Sequence, residues 1–530
     1  MRFFAVFLAC VLLTGGWVRA TRHELWLYAS TNLQVDDNAN RLEALLRRAH
    51  SAGYEACVLT DSKFGRLADV TDRYRANARR IRTVAQELGL RLVPAVAPIG
   101  YSNDLLYHDP NLAEGLVVEG TPLEVRNGVA RLIPDLSVAF GPKLSFVDDT
   151  VRIADGVATV TDPHSNSRFV YALKLQPHRC YRVSVDIRTD HFMAKPEIKA
   201  LAKANGRSLQ FQSLGVQPTQ DWKRVYVAFN TLDAADVNVY FGVWGDAKGT
   251  LQWRNWTIEE VALLNVLRRD GAPLKVVDER TGKSLIERRD IERWADPKLG
   301  VTPWPGEYEW AHEPPVLRVP KLPDGTKLRV SWYHPAIIYE GQVSICPSEP
   351  KTMELVADQM RRVHELFGAT GYMLSHDEVR SLNTDESCLK QHKSPGELLG
   401  ENIARCRELL PKGTRAYVWS DMFDSDHNAV AGPYYLVNGD LRGSVELLPK
   451  DVTVVNWNFD KRDTSLKFFA ERGHRQVIAG YYDGDVGRID AWLDSADKVP
   501  GVDAVMYTTW ERRYDDLEAF AQRVRAHEAK

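Results

Sequence analysis

Predicted strands and helices alternate in two blocks of this chain, one near each end. Strands joined by helices form parallel βαβ units, because a parallel connection has to cross the face of the sheet. The first block predicts three strands and the second predicts five, which together fit a (β/α)8 TIM barrel in an α/β protein. The predicted strands are 24–30, 56–61, 91–98, 371–377, 415–422, 452–458, 476–482 and 504–509.

The residues between the two blocks have a different pattern. From residue 126 to residue 262, short runs of alternating apolar and polar residues are separated by Gly, Asn and Asp, as in Tyr181–Thr189 and Val237–Gly245. This pattern predicts an all-β jelly-roll sandwich inserted after the third barrel strand. The run Gly249–Val261 resembles the last strand of jelly-roll carbohydrate-binding modules, although a purely structural sandwich fits the pattern equally well.

Residues 1–20 have the features of a secretory signal peptide. Arg2 precedes an apolar run that is too short to cross a membrane, and Val18–Ala20 offers a cleavage site with small residues. We therefore expect an exported protein, secreted or periplasmic, that has no membrane association after the signal is removed. The other predicted regions are the first barrel part 21–125, the sandwich 126–262, a connector 263–340 with one excursion strand, and the second barrel part 341–530.

Composition excludes some functions and leaves the cysteines open. The net charge of −3 gives no basic surface for nucleic acid. The five cysteines that follow Cys10 are an odd number, and their spacing matches no zinc pattern, so the sequence predicts no metal ligand and no cofactor. A disulfide between Cys388 and Cys406 is one option.

Two adjacent carboxylates, Asp377 and Glu378, stand at the end of the fourth predicted strand. Neighbouring side chains on a regular strand point to opposite faces, so both can enter one pocket only where the strand stops. An arbitrary acidic pair is usually a solvated turn. The carboxyl end of a barrel strand is where TIM-barrel active sites lie, and this position predicts acid/base chemistry.

The segment Ile345–Arg380 resembles the one that leads into the catalytic Asp-Glu pair of glycoside hydrolase family 20, the β-N-acetylhexosaminidases. The shared features are a Cys-Pro-Ser turn, a helix that ends in Leu-Phe, a short strand and then Asp-Glu-Val. Three further segments, Leu92–Gly115, Ala416–Met422 and Ala504–Glu511, look like other strands of that family's barrel. The resemblance implies a carbohydrate substrate.

In that family the substrate's own 2-acetamido oxygen serves as the nucleophile. By resemblance, Glu378 is the general acid/base, and Asp377 orients and polarises the acetamido group. The chain departs from the family where Ser375 and His376 replace two glycines before the pair.

This departure favours a second hypothesis, in which a separate carboxylate such as Asp483 or Glu511 is the nucleophile and no acetamido group is needed. A third hypothesis is a non-catalytic carbohydrate-binding protein.

Side chains at other strand ends are candidates for the sugar pocket. Aromatic faces suit sugar rings, and carboxylates bind hydroxyl groups, but strand alternation lets only some of these residues point inward. Any of the aromatic residues fits the core as well. The predicted substrate-binding residues are His376, Trp419, Asp421, Trp457, Tyr482, Asp483 and Trp510.

Overall fold

A computed structural model describes residues 22–310, 312–432 and 435–530. Eight parallel strands close into a barrel, and Ala95 opposite Met373 joins the third strand to the fourth across the long insertion. The predicted α/β fold, a TIM barrel with an inserted all-β domain, is confirmed. The barrel strands are Glu24–Thr31, Ala56–Asp61, Arg91–Val96, Gly371–Leu374, Arg415–Trp419, Val452–Asn456, Gln476–Ile478 and Val502–Tyr507.

Amphipathic helices cover the outside of the barrel. The helix before the fourth strand begins with Pro350 in its first turn and ends at Gly368, whose φ of 59° is left-handed. Its predicted apolar face, Met353, Val356, Met360, Val363 and Phe367, is buried. No helix in the described ranges is long and apolar enough to cross a membrane. The longer helices are Asp36–Ser51, Asp72–Glu87, Pro350–Phe367, Pro395–Leu409, Arg462–Glu471, Arg488–Ala496 and Leu517–Glu528.

Large side chains fill the barrel interior. Alternate residues of each strand point inward, and Trp26 meets Tyr417 edge to face with their ring centroids 4.9 Å apart. Closer to the carboxyl ends, Tyr28 and Trp419 belong to the same buried cluster. The interior is therefore a packed core, and the strand ends form the floor of any site at the barrel mouth.

The insertion contains a sandwich of two antiparallel sheets around its own core, in which Phe169, Phe241 and Trp253 are almost fully buried. Its strands run from Phe146 to Glu260. The five-stranded sheet contains, in spatial order, Gln220–Asn230, Cys180–Asp190, Thr250–Glu260, Val157–Thr161 and Arg152–Ala154. The four-stranded sheet contains Glu197–Ala202, Asp236–Val243, Ser167–Lys174 and Phe146–Val147.

A third antiparallel sheet, which we call the stem, joins the sandwich to the barrel. Its central strands are Gly115–Arg126, which leads into the sandwich, and Lys327–Pro335, which returns from it. The sequence analysis places residues 115–125 in the first barrel part and predicts one excursion strand in the connector 263–340. In the structure, Gly115–Arg126 and Lys327–Pro335 pair with each other outside the barrel sheet. The other stem strands are Val129–Leu132, Lys275–Asp278, Ser284–Leu285 and Leu317–Arg318.

The five cysteines in the described ranges are buried and free. Cys406 lies on the helix Pro395–Leu409, whereas Cys388 lies beside Cys346, with 3.6 Å between the two sulfur atoms. The possible disulfide between Cys388 and Cys406 is therefore wrong. The predicted signal peptide lies outside the described residues.

Candidate active site

The carboxylate pair follows a sharp end of the fourth barrel strand. Ser375 makes the last strand-like contact, donating its N–H to the carbonyl of Val96 at 2.8 Å. At Glu378 the backbone adopts a left-handed φ of 44°, which is uncommon for a residue with a side chain. The N–H of Glu378 then donates to Asp421 Oδ2 at 3.0 Å. This turn brings both carboxylates to the barrel mouth.

A glycine in the neighbouring loop makes this turn possible. A Cβ atom at Gly100 would overlap the carbonyl oxygen of Asp377 and crowd the backbone of Glu378. The loop after the third strand therefore packs directly against the backbone of the pair. Any larger residue at position 100 has to move the two carboxylates.

Asp377 lies beside a second acidic residue from the next strand. Asp421 is fully buried and accepts hydrogen bonds from the Glu378 N–H and from Asn428 Nδ2, each at 3.0 Å. Burial, reinforced by the charge of Asp421, raises the pKa of Asp377 to about 8. Burial also raises the pKa of Asp421 to about 6. We call Asp377, Glu378 and Asp421 the mouth cluster.

Glu378 is held from two sides at the rim of the barrel. Tyr101 donates its hydroxyl to Glu378 Oε2, and Arg380 Nη2 donates to Glu378 Oε1 at 2.9 Å. Arg380 also donates to the Tyr339 hydroxyl at 3.1 Å and lies 5.0 Å from the centroid of the Tyr435 ring. The side chain of Glu378 is 26% exposed, so a ligand in the mouth has access to it.

Aromatic side chains surround the mouth cluster. Tyr28 lies with its ring centroid 5.1 Å from that of Trp510 and 6.1 Å from that of Trp419. Trp510 is 55% exposed, and Trp457 is half-buried against His427. Burial raises the pKa of Tyr28 to about 12, which keeps its hydroxyl protonated as a hydrogen-bond donor. Trp510 and Trp457 are therefore the rings on which a sugar can stack, and buried Tyr28 and Trp419 support them from below.

A cavity of 370 Å³ opens beside the pair, above the second, third and fourth strands. Tyr101 and Ser375 line it on the side of the mouth cluster, and the exposed ring of Trp304 lines the outer side. Its volume lies within the range of small-molecule pockets. The cavity therefore has room for a sugar unit, and Tyr101, which donates its hydroxyl to Glu378, lies between the cavity and the pair.

The structure places four of the predicted substrate-binding residues around the mouth cluster and the other three elsewhere. Trp419, Asp421, Trp457 and Trp510 lie at the mouth. His376 is fully buried and pairs with Asn402 at 2.9 Å, and burial lowers the pKa of His376 to about 4.

The last two predicted residues, Tyr482 and Asp483, have structural contacts. Tyr482 is 1% exposed and packs against Tyr507 and Phe520 in the layer between strands and helices. Asp483 accepts the hydroxyl of Thr509 and the backbone N–H of Trp510, and it thereby fixes the loop that presents Trp510. Both residues lie beyond the end of the seventh strand at Ile478, where Tyr482 packs in the core and Asp483 is taken up by the neighbouring loop.

Several residues at the mouth were missed by sequence reasoning. Gly100 and Tyr101 lie in the loop after the third strand, and Tyr339 lies in the segment predicted as a connector. A glycine followed by an aromatic residue after a barrel strand is a signal that points to such a loop. No sequence pattern pointed to Tyr339, because only the tertiary fold brings this residue to Arg380.

Comparisons with known proteins return structural matches only. No family model matches the sequence, and no curated protein matches it. The structure is similar to the chitobiase of Flavobacterium johnsoniae, from glycoside hydrolase family 20, with 10% identity and a TM-score of 0.39 over 96% of this chain and 50% of that chain. It is also similar to a β-N-acetylhexosaminidase of Bacteroides fragilis, with 9% identity and a TM-score of 0.41 over 96% of this chain and 65% of that chain.

The chain therefore spans between half and two thirds of the length of these two glycoside hydrolases. A family 4 carbohydrate-binding module matches 22% of this chain over 77% of its own length, with 17% identity and a TM-score of 0.17.

Proposed function

We propose that the protein is a glycoside hydrolase, exported from the cell, whose Asp377 and Glu378 act on a glycosidic bond at the barrel mouth. The observation that carries this proposal is the position of the pair: two carboxylates at the carboxyl end of a barrel strand, beside a sugar-sized cavity and a wall of aromatic rings. Cleavage requires a proton for the leaving oxygen and a stabilising group for the charge at the anomeric carbon. The pair supplies both.

The depth of the two carboxylates favours the roles implied by the resemblance to family 20. Asp377 lies inside the mouth near Tyr28 and Asp421, where it would meet a group on the bound sugar. Glu378 lies at the rim, where the bond between the bound sugar and the rest of the substrate would pass. In the proposed mechanism Glu378 protonates the leaving oxygen, and Asp377 orients and polarises a 2-acetamido group.

The hypothesis of a separate nucleophile has less support. Both oxygens of Asp483 accept hydrogen bonds from the loop that follows the eighth strand. Glu511 is exposed and forms an ion pair with Arg513 at 2.7 Å. Both carboxylates are thus engaged by other groups, and the substrate's own acetamido group is the proposed nucleophile.

We also propose that a groove on the sandwich contacts the rest of the saccharide. The groove has a volume of 700 Å³ and is lined by Tyr240, Trp244 and Tyr339, among others. Tyr339 accepts a hydrogen bond from Arg380, which in turn pairs with Glu378, so one side chain links the groove to the rim of the mouth. The strand Ile338–Tyr339 pairs with Phe211–Gln212 of the insertion, which fixes this link.

Assays with chromogenic glycosides, with and without a 2-acetamido group, test the proposal. We expect wild-type protein to cleave the acetamido glycosides selectively and Glu378→Gln to lose this activity while it still binds the sugar. Glu354→Gln is the matched control, because it changes an exposed carboxylate on the outer helix Pro350–Phe367, away from the mouth. Cleavage of glycosides that lack the acetamido group would favour a separate nucleophile, and binding without any cleavage would favour the non-catalytic hypothesis.

A further inference from the structure

Four potential ligand side chains meet in a buried cluster at the base of the stem. Glu114 comes from the segment before the first stem strand, Cys346 from the return to the barrel, and Asp385 and Cys388 from the loop after the catalytic strand. All four residues are 0% exposed, and one ligand atom from each lies within 4.8 Å of the others. We call these four residues the stem cluster.

The distances within the stem cluster match the edges of a tetrahedral zinc site. The two sulfur atoms are 3.6 Å apart, Cys346 Sγ is 3.6 Å from Asp385 Oδ1, and Cys388 Sγ is 3.4 Å from Glu114 Oε2. In a tetrahedral zinc site, bonds are about 2.3 Å to sulfur and about 2.1 Å to oxygen. The distance between two sulfur ligands is then about 3.8 Å, and that between a sulfur and an oxygen ligand is about 3.6 Å. Three of the six edges therefore agree with a tetrahedral zinc site, and the remaining distances between ligand atoms are within 4.8 Å.

The second oxygen of each carboxylate is held by neighbouring groups. Glu114 Oε1 accepts the N–H of Thr384 at 2.7 Å and its hydroxyl at 2.9 Å. Asp385 Oδ2 accepts hydrogen bonds from Arg269 and from the N–H of Gly115. Outer hydrogen bonds of this kind orient the ligands in protein metal sites. Glu114 Oε2 lies next to Cys388 Sγ, and Asp385 Oδ1 lies next to Cys346 Sγ. Asp385 Oδ1 also caps the short helix Glu386–Leu389 by accepting the N–H groups of Ser387 at 2.9 Å and Cys388 at 3.3 Å.

The charges around the stem cluster favour a cation. Arg269 is the positively charged side chain that faces it, and it is shared between Asp385 and Glu349. Buried carboxylates are costly unless they are paired or coordinate a metal. Arg269 pairs with Asp385, whereas Glu114 forms no ion pair within the described residues, and coordination of a metal ion would give this buried carboxylate a cationic partner.

We propose that Glu114, Cys346, Asp385 and Cys388 bind one Zn²⁺ ion. Binding converts both thiols to thiolates and releases their protons to solvent, and two Zn–S and two Zn–O bonds form. The ion ties the root of the insertion to the loop that follows the mouth cluster. Sequence spacing did not reveal the site, because its ligands span 274 residues. The proposal does not depend on the glycosidase activity.

The metal content of the full-length protein tests this site. Protein is purified without chelator, incubated with ZnCl₂, desalted and analysed by mass spectrometry for metals. We expect one zinc ion per chain in the wild type and less than about a tenth of that in Cys346→Ser and Cys388→Ser. Cys406→Ser is the matched control, because Cys406 is also buried and free but lies outside the cluster. It is expected to keep the full zinc content.

A second measurement needs no variant. Replacement of Zn²⁺ by Co²⁺ in wild-type protein is expected to give the absorption bands of tetrahedral cobalt with a thiolate charge-transfer band. The proposal is overturned if the wild type binds no metal with its thiols free. It is also overturned if Cys346 and Cys388 form a disulfide, which would make the chain two hydrogen atoms lighter, or if the bound zinc does not depend on the two cysteines.

Discussion

The mouth cluster and the stem cluster are joined by one loop, which runs from Asp377 and Glu378 to Asp385, yet their surroundings differ. Both contain buried carboxylates that are close enough to disturb each other's ionisation. The mouth cluster faces a cavity and aromatic rings, whereas the stem cluster is closed and includes two thiols. The comparison shows that solvent access and neighbouring groups, more than the acidic residues themselves, separate a site suited to chemistry from one suited to holding an ion.

The largest expected effect is on catalysis at the mouth. Glu378→Gln removes the proposed general acid, a group that contributes roughly 10²- to 10⁴-fold to rate. We expect a loss of that size in kcat with an unchanged circular dichroism spectrum. Near wild-type turnover by the folded variant would show that Glu378 is not the general acid and that the mouth cluster is not distinguished from the stem cluster by catalysis.

Gly100→Ala is expected to reduce activity strongly without removing any functional side chain. The added methyl group overlaps the carbonyl oxygen of Asp377 and must displace the pair. The measurement is kcat/KM on the best chromogenic substrate. Gly484→Ala is the control, because a Cβ at Gly484 meets no atom within 4 Å and its backbone is not left-handed. Equal activity of the two variants would argue against a tight contact between the loop and the pair.

Substitution of one carboxylate in each cluster should change stability in opposite directions. Asp385→Asn weakens the ion pair with buried Arg269, and loss of one partner of a buried pair costs about 3–5 kcal/mol. Asp377→Asn removes a carboxyl group that is unfavourable to ionise in the folded state, so this variant should unfold at a higher temperature than the wild type. Thermal unfolding near neutral pH measures both. A lower unfolding temperature for Asp377→Asn would mean that the carboxyl is stabilised in its site.

The stabilisation by Asp377→Asn should depend on pH. The pKa of Asp377 is about 8 in the folded protein and 3.8 as its ordinary value, so wild-type stability falls as pH rises between these values and levels off above about 8. The gap between variant and wild type should therefore widen from about pH 4 to about pH 8. A gap that is constant with pH would contradict the raised pKa.

The same pKa predicts the pH dependence of activity. If ionised Asp377 polarises the acetamido group, kcat/KM should rise with pH up to about 8. A thiazoline mimic of the cyclised intermediate should inhibit the enzyme. A decline of kcat/KM across the same range, without inhibition by the thiazoline, would assign Asp377 the role of proton donor instead.

The smallest expected effect concerns the sandwich groove. Trp244→Ala should raise KM for an oligosaccharide several-fold and leave a small chromogenic substrate unaffected, because only the longer ligand reaches the groove. The matched control is Trp222→Ala on the other sheet, where the ring packs under Arg254. Equal KM values for both variants on the oligosaccharide would remove the groove from the proposed substrate path.

The barrel could be predicted from sequence because its strands are local patterns. The pattern that predicts each strand or helix lies within a short run of residues, and Asp377 and Glu378 are adjacent in the chain. The stem sheet was missed, because its two central strands pair across more than two hundred residues, and the predicted excursion strand of the connector gave no sign of its partner Gly115–Arg126. Within the site, the packing at and beyond the strand ends decided the outcome: Trp419 and Trp510 reach the mouth, while His376 and Tyr482 point into the packed outer layer.

The antiparallel pairing of the stem also bears on how the barrel is assembled. The third and fourth barrel strands are neighbours in space, but the whole insertion separates them along the chain. Closing so long a loop at random is entropically unfavourable and slows folding. Because Gly115 pairs with Pro335, formation of the stem brings the two barrel segments together before they have to find each other. Pairing of the stem strands therefore closes the insertion at its base. A circular permutant cut inside the stem should refold more slowly than one cut in a sandwich turn.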